Sequence, residues 1–233
     1  HGYGHGMDFL AFLRRDLNAF EACLDDDLTA PIEHCGDWTL YDLADHLGNG
    51  NLWSATAVTE KHGRRKPVPP PRDRDELKRW FHATGETLLT TLEADPSTEA
   101  WTFHPPRTVA FWRRRRCMET LVHLWDAEHA TGGATPLDPE LSAEGVAEVI
   151  DTMYPRQLEL SRATPPDQAI RLSTTDTAQT WTLGPGTLVA TLHAPARTLF
   201  LMLWKRVSPE DDTIEWEGDK PAALTVLDRP LTP

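Results

Sequence analysis

The chain has 233 residues, of which 39% are hydrophobic and 25% charged, a composition typical of a soluble globular protein. Its 36 acidic and 23 basic side chains give a net charge of −13, which argues against a protein that binds a phosphate backbone. Without an apolar run of about 18 residues or a secretory signal pattern, we expect a cytoplasmic protein that neither spans nor binds membranes. Small molecules are therefore its expected partners.

The N-terminal segment and the cysteines carry no sign of a metal or disulfide site. The first six residues, HGYGHG, precede a methionine and lack periodicity, so we interpret them as a cloning remnant and exclude His1 and His5 as metal ligands. The three cysteines, Cys23, Cys35 and Cys117, are odd in number and show no Cys-x-x-Cys spacing. This favours reduced thiols that pack in the interior over a disulfide framework.

Amphipathic segments in the first 135 residues predict four helices, because apolar residues recur there at spacings of three and four. Thr39 and Asp42 have the spacing of a capping box at the start of the second segment. A charged, proline-rich stretch over residues 63–75 predicts an extended connection between the second and third helices. The predicted helices cover about residues 7–27, 39–58, 77–92 and 109–130. Four such helices with three connections fit an antiparallel four-helix bundle.

After Pro136 the pattern changes to short segments separated by turn residues. Residues 142–161 and 198–205 are compatible with helices. Short β-branched or alternating segments predict strands at about residues 169–172, 179–183, 187–192 and 213–216. The sequence therefore predicts an α+β protein, with a metal-binding helical domain over residues 7–135 and a smaller α+β domain over residues 140–233.

Three residues of the helical domain have side chains that suit a metal ion. Glu119 and His123 lie four residues apart on one helix face, from which a carboxylate and an imidazole can reach one cation. His46 borders the apolar stripe of the second helix and could join them, giving two histidines and one glutamate with an open coordination position, as in catalytic zinc sites. The spacing leaves two alternatives open: a chance pair on a solvated helix, and a core-edge His46 satisfied by Asp42.

Two stretches of the chain resemble the signature stretches of the mycothiol-dependent maleylpyruvate isomerase family. They are residues 36–48, GDWTLYDLADHLG, and residues 111–128, FWRRRRCMETLVHLWDAE. The string AWTF at residues 100–103 and the second domain also resemble the family, so the likeness covers nearly the whole chain from Met7. It implies a DinB-like four-helix bundle in which His46, Glu119 and His123 bind a divalent metal ion, normally Zn²⁺.

The resemblance implies an enzyme that uses mycothiol as a thiol cosubstrate. A free thiol has a pKa near about 8.5, and coordination to zinc deprotonates it near neutral pH. In the isomerase, the thiolate adds to the cis double bond of maleylpyruvate, the resulting single bond rotates, and loss of the thiol leaves the trans isomer, fumarylpyruvate. In a mycothiol S-transferase acting on another electrophilic substrate, the adduct is the product.

Arginines are the second group of candidate site residues. Arg113 to Arg116 occupy four successive helical positions, so they cannot all face one anion. We expect Arg114 and Arg115 to contact the thiol at the site entrance, and the alternative is a solvated face paired with surface carboxylates. The resemblance suggests that Arg206 holds a substrate carboxylate as a catalytic residue, although Lys205 stands where the family pattern has a glycine.

Two other functions remain compatible with the residues alone. Zinc-bound water would make the protein a metal-dependent hydrolase, which needs no added thiol. A non-catalytic module that binds a metal or a ligand is the second, because a fold does not fix a function. It would bind ligands without turning over any electrophile.

Overall fold

The structure of the protein is a computed structural model that describes residues 6–233, so His1 and His5 lie outside the described residues. Two compact units divide the chain, one ending at Thr135 and the other beginning at Pro136. None of the three cysteines, Cys23, Cys35 and Cys117, forms a disulfide. Within residues 6–233, no helix has the length and apolar character that crossing a membrane requires.

The first unit is a four-helix bundle. Its helices are α1 (Phe9–Cys23), α2 (Leu40–Thr59), α3 (Arg74–Leu92) and α4 (Val109–Thr131). Around the bundle, α1 packs on α4, α4 on α2, α2 on α3, and α3 on α1. The large side chains at its centre are fully buried and include Phe20, Leu43, Leu47, Phe81 and Trp112.

Capping residues set the ends of these helices. The predicted capping box at α2 is confirmed, with Thr39 accepting from the Asp42 amide while the Asp42 side chain accepts from the Thr39 amide. Asp73 caps α3, which therefore begins three residues earlier than the apolar stripe predicted. Gly132 ends α4 in the left-handed conformation, with φ of 91°.

The fourth helix is enclosed on nearly every side. Buried residues occur at most of its positions from Val109 to Ala127, rather than along one stripe. Arg114, Arg115 and Arg116 are among them, each 5% exposed or less. The alternative interpretation, that these arginines form a solvated face, is therefore wrong for all three.

The second unit combines helices with a four-stranded sheet. Its helical segments are α5 (Pro139–Glu148), a π-helical turn (Val149–Met153), α6 (Tyr154–Glu159), α7 (Ala196–Leu203) and α8 (Lys220–Leu227). Its strands are β1 (Gln168–Thr174), β2 (Thr180–Leu183), β3 (Thr187–Ala194) and β4 (Glu215–Gly218), in the order β2-β1-β3-β4. The central pair, β1 and β3, is parallel, and both outer pairs are antiparallel.

The structure of this unit differs from the sequence prediction at several elements, since the helix predicted over residues 142–161 is divided by the π-helical turn and the last strand and last helix also differ. The last strand begins at Glu215 instead of Thr213, because Thr213 turns back and donates from its amide and hydroxyl to Asp211. Helix α8 was not predicted, although its Asp219 cap is followed two residues later by Pro221, a pattern typical of a helix start. Its eight residues are too few to show a clear apolar period.

Candidate metal centre

Three side chains of the bundle converge on one point. Glu119 and His123 are one turn apart on α4, and His46 comes from the neighbouring helix α2. The Nε2 atoms of His46 and His123 each lie 3.0 Å from the same carboxylate oxygen, Oε1 of Glu119. The structure thus brings together the three residues that the sequence singled out as metal ligands.

Because the capping box at the start of α2 engages Asp42, His46 can interact with Glu119 and His123 instead. The Asp42 carboxylate is used by the capping box, where it accepts from the amide and hydroxyl of Thr39. His46 instead contacts Glu119 and packs at 4.9 Å from the Trp38 ring and 5.1 Å from the His123 ring. Its side chain is 42% exposed, so the group can be reached from solvent.

Charge and burial act in opposite directions on Glu119 and His123. Burial alone would raise the pKa of Glu119, but His123, the hydrogen bond from His46 and the Arg115 guanidinium lower it well below its ordinary value. Burial alone would lower the pKa of His123, but the Glu119 carboxylate and the bond to Asp126 raise it well above its ordinary value. Both pKa shifts therefore have the direction expected when a carboxylate and an imidazole stabilise each other's charged form.

Asp126 is a further residue of this site, which the sequence analysis missed. Its Oδ2 lies 3.0 Å from Nδ1 of His123, on the side of the ring opposite Glu119, and its side chain is fully buried. The Cys35 thiol donates to the same oxygen across 3.5 Å. A ligand histidine usually donates its second ring N–H to such a carboxylate. The spacing of three residues from His123 on one helix was the signal that could have identified Asp126.

Three of the four arginines preceding Glu119, namely Arg113, Arg115 and Arg116, contact different groups. Arg115 donates to Oε2 of Glu119 at 2.9 Å, and Arg116 donates to Leu47 O and Asn51 Oδ1 of α2. Burial lowers the pKa of Arg116 to about 10. Arg113 donates to the carbonyls of Leu92, the last residue of α3, and of Ala94. The assignment of Arg114 and Arg115 as thiol-binding residues stays a prediction.

Comparison with known proteins places the chain in a family. A family model of the mycothiol maleylpyruvate isomerase N-terminal domain matches residues 10–128, more than half of the chain. A model of the MDMPI C-terminal domain matches residues 140–225. The chain belongs to the mycothiol maleylpyruvate isomerase family. It is therefore an enzyme of that family.

Individual proteins of known sequence or structure are also similar to the chain. Two uncharacterized proteins from two strains of Mycobacterium tuberculosis are 33% identical to the chain over 150 residues, which is 60% of this chain and 77% of theirs. The crystal structure of the mycothiol-dependent maleylpyruvate isomerase has a TM-score of 0.65, with 14% identity over 92% of this chain and 94% of that one. A histidine-to-alanine mutant of that isomerase has the same TM-score at 15% identity. At these identities the solved structures show the shared fold alone.

A cavity of about 730 Å³ opens beside His46 within the helical unit of this family member. Its walls carry three carboxylates, one guanidinium and two indole rings, from Asp37, Asp42, Asp45, Arg65, Trp38 and Trp53. A ligand held there would thus meet a mostly acidic and aromatic wall next to the converging ligands.

Lys205, which stands where the family pattern has a glycine, has a backbone conformation that is typical of glycine. Lys205 has φ of 59°, in the left-handed region that favours glycine. It follows the end of α7, where the Lys205 amide donates to Met202 O and the Arg206 amide donates to Leu201 O. These two bonds form a Schellman motif, which sets the direction of the chain into Arg206. Arg206 lies in the second unit, and its role at the site stays a prediction.

Proposed function

We propose that this family member is a zinc-dependent enzyme that activates mycothiol for addition to an electrophilic substrate. The single observation that supports it is the convergence of both imidazole Nε2 atoms on one oxygen of Glu119. Membership of the mycothiol maleylpyruvate isomerase family supports mycothiol as the cosubstrate. Isomerisation of maleylpyruvate is the first candidate reaction, and S-transfer to another electrophile is the second.

His46, Glu119 and His123 would hold the metal ion. Their donor atoms lie within 4.8 Å of one another, and two imidazoles with one carboxylate form a donor set that zinc accepts. When bound, a zinc ion lowers the pKa of a coordinated thiol, so that the nucleophilic thiolate exists near neutral pH.

Neighbouring residues prepare the ligands. Arg115 holds one carboxylate oxygen of Glu119 and leaves the other directed at the two imidazoles. Asp126 fixes the His123 ring through Nδ1 and keeps a proton on that nitrogen, so that Nε2 is the atom that faces the site. The three ligands are thereby arranged before a metal ion arrives, which reduces the free energy needed to order them.

The substrates would be bound by residues around this centre. The cavity next to His46 is the proposed space for the thiol, with Arg114 and Arg115 as proposed thiol contacts. Arg206 is the proposed contact of the substrate carboxylate. In the isomerase reaction, the thiolate forms a bond to one alkene carbon, the remaining single bond rotates, and the thiolate leaves again. No atoms are gained or lost over the cycle.

Zinc content and thiol-dependent turnover of wild type and His46→Ala test the proposal together. Elemental analysis should show one zinc ion fewer per chain in the variant, and turnover of maleylpyruvate with mycothiol should fall by about 100-fold or more, because a bound metal ion contributes several kcal/mol to such reactions. A parallel assay of mycothiol consumption with other electrophiles detects S-transfer. His82→Ala, an exposed histidine of α3 paired with Glu21, is the matched control and should keep both zinc and activity.

Two results would contradict the proposal. Full turnover in a folded His46→Ala protein that has lost the zinc ion would show that the reaction does not need the metal ion. Turnover that needs zinc but no added thiol would instead favour hydrolysis by zinc-bound water.

A further inference from the structure

A second group of metal-ligating side chains lies beyond the proposed catalytic centre. It contains His129 on the last turn of α4, and Glu33 and His34 on the segment between α1 and α2. Nε2 of His129 is 2.6 Å from Oε2 of Glu33, and Nε2 of His34 is 3.9 Å from the same oxygen. One donor atom from each residue lies within 4.8 Å of the other two.

Outside the proposed catalytic centre, this convergence distinguishes the group from the contacts that His82 makes with carboxylates. His82 also contacts two carboxylates, but Glu21 meets its Nδ1 and Glu86 meets its Nε2, on opposite sides of the ring. A single ion could not replace both of these contacts, because the two nitrogens of one ring point in different directions. In the group of Glu33, His34 and His129, both imidazoles direct the same nitrogen, Nε2, to one carboxylate oxygen.

An indole ring holds both imidazoles of this group in place. Trp125 precedes His129 by one helical turn, and the two rings are stacked at 4.7 Å with an angle of 10°. The His34 ring lies 5.7 Å from the same indole. Packing against a common ring limits the rotation of both imidazoles, which lowers the entropy lost when they bind one ion.

We propose that Glu33, His34 and His129 bind a second divalent transition-metal ion, with Zn²⁺ or Ni²⁺ as the class it accepts. Imidazole and carboxylate donors suit these ions, and three protein ligands leave room for water to complete the coordination. Glu33 and His129 are about half exposed, so an ion can enter from solvent. His129 follows His123 by six residues, about 9 Å along the helix axis, so this site is separate from the catalytic centre.

The segment that supplies Glu33 and His34 also contacts the catalytic centre. Cys35 of this segment donates to Asp126, and its Trp38 packs on the ring of His46. An ion bound to Glu33, His34 and His129 would join this segment to the end of α4. It would thereby stabilise the wall on one side of the catalytic ligands.

Zinc stoichiometry tests the second site. The full-length chain is prepared with His1→Ala and His5→Ala, so that the N-terminal imidazoles add no binding, stripped with a chelator and dialysed to equilibrium against Zn²⁺ alone. We expect this protein to bind two ions. Each of the further variants His129→Ala and Glu33→Gln should bind one ion, because the dissociation constant of Zn²⁺ at the altered site should rise by at least about 10-fold. His82→Ala is the matched control and should still bind two ions. Circular dichroism establishes that each variant is folded.

The same experiment separates the two proposed sites. Adding His46→Ala should also leave one ion, and His46→Ala with His129→Ala should leave none. One ion in the parent protein and one in His129→Ala would overturn the second site while supporting the catalytic one. One ion in the parent and none in His129→Ala would instead overturn zinc binding by the catalytic ligands.

Discussion

Asp126 shows how one buried carboxylate can determine the behaviour of a ligand on the same helix. It meets His123 on the ring nitrogen that faces away from Glu119, in a position without solvent access. A metal ion bound at the proposed site would replace the proton on Nε2 of His123 but not the one on Nδ1. The bond to Asp126 can therefore persist in both states, and it favours the tautomer that metal binding requires.

Replacing this carboxylate should weaken metal binding without unfolding the bundle. In Asp126→Asn we expect the dissociation constant of Zn²⁺ at the proposed catalytic centre to rise about 10- to 100-fold, because a neutral amide stabilises the ligand imidazole less. Competition with a zinc chelator of known affinity measures this change. Asp16→Asn removes another buried carboxylate of the same unit, on α1, and is the control. Equal zinc affinity of Asp126→Asn and wild type would show that Asp126 has no positioning role.

The site residues were predictable to different degrees. Glu119 and His123 could be found because one helix fixes their spacing, and the family resemblance added His46, which spacing alone left open. Burial of the arginines could not be predicted, since charge alone favours solvent and only the packing of α4 between other helices explains the result. The partners of the buried Arg116 guanidinium, Asn51 and the Leu47 carbonyl, are distant in sequence.

At the scale of elements, the long helices were easier to predict than the short pieces of the second unit. The predicted ends of α2 and α4 differ from the observed ends by at most one residue. Thr39 and Asp42 determine the start of α2 locally, and Gly132 determines the end of α4. The last strand and α8 have four and eight residues. Elements of this length depend on the sheet and helices that they pack against, so their own sequence predicts them weakly.

The end of α7 has a backbone conformation that suits glycine better than lysine. Lys205→Gly should be more stable than Lys205→Ala by about 1 kcal/mol, because a side chain with a Cβ is strained at positive φ. Both variants lose the bond from the Lys205 ammonium to Leu227 O, so their comparison isolates the backbone effect. Urea denaturation measures the difference. Equal stability of the two variants would show that the left-handed conformation of residue 205 costs nothing here.

At the scale of the whole molecule, all proposed metal ligands belong to the helical unit. His46, Glu119 and His123, as well as Glu33, His34 and His129, precede the boundary at Thr135. An ion that binds only the folded unit stabilises it by mass action. The effect of a metal ion on stability should therefore depend on which part of the chain is observed.

Removing the metal should loosen the bundle and leave the sheet unchanged. At free Zn²⁺ about 1,000 times its dissociation constant, binding adds about 4 kcal/mol to the stability of the helical unit. Hydrogen exchange after treatment with a chelator should therefore accelerate in α2 and α4 but not in β1 and β3. The double variant His46→Ala with His129→Ala, which should bind no ion, controls for effects of the chelator alone. Equal acceleration in the sheet would contradict an effect confined to the helical unit.

The contact between Trp38 and His46 gives the site an optical property as well as a structural one. The indole lies 4.9 Å from an imidazole that is proposed to exchange a carboxylate contact for a bond to a doubly charged ion. Indole emission responds to charge and polarity within a few ångströms. The fluorescence of Trp38, which lies beside the proposed catalytic ligands, should therefore change when a metal ion binds to them, without any added label.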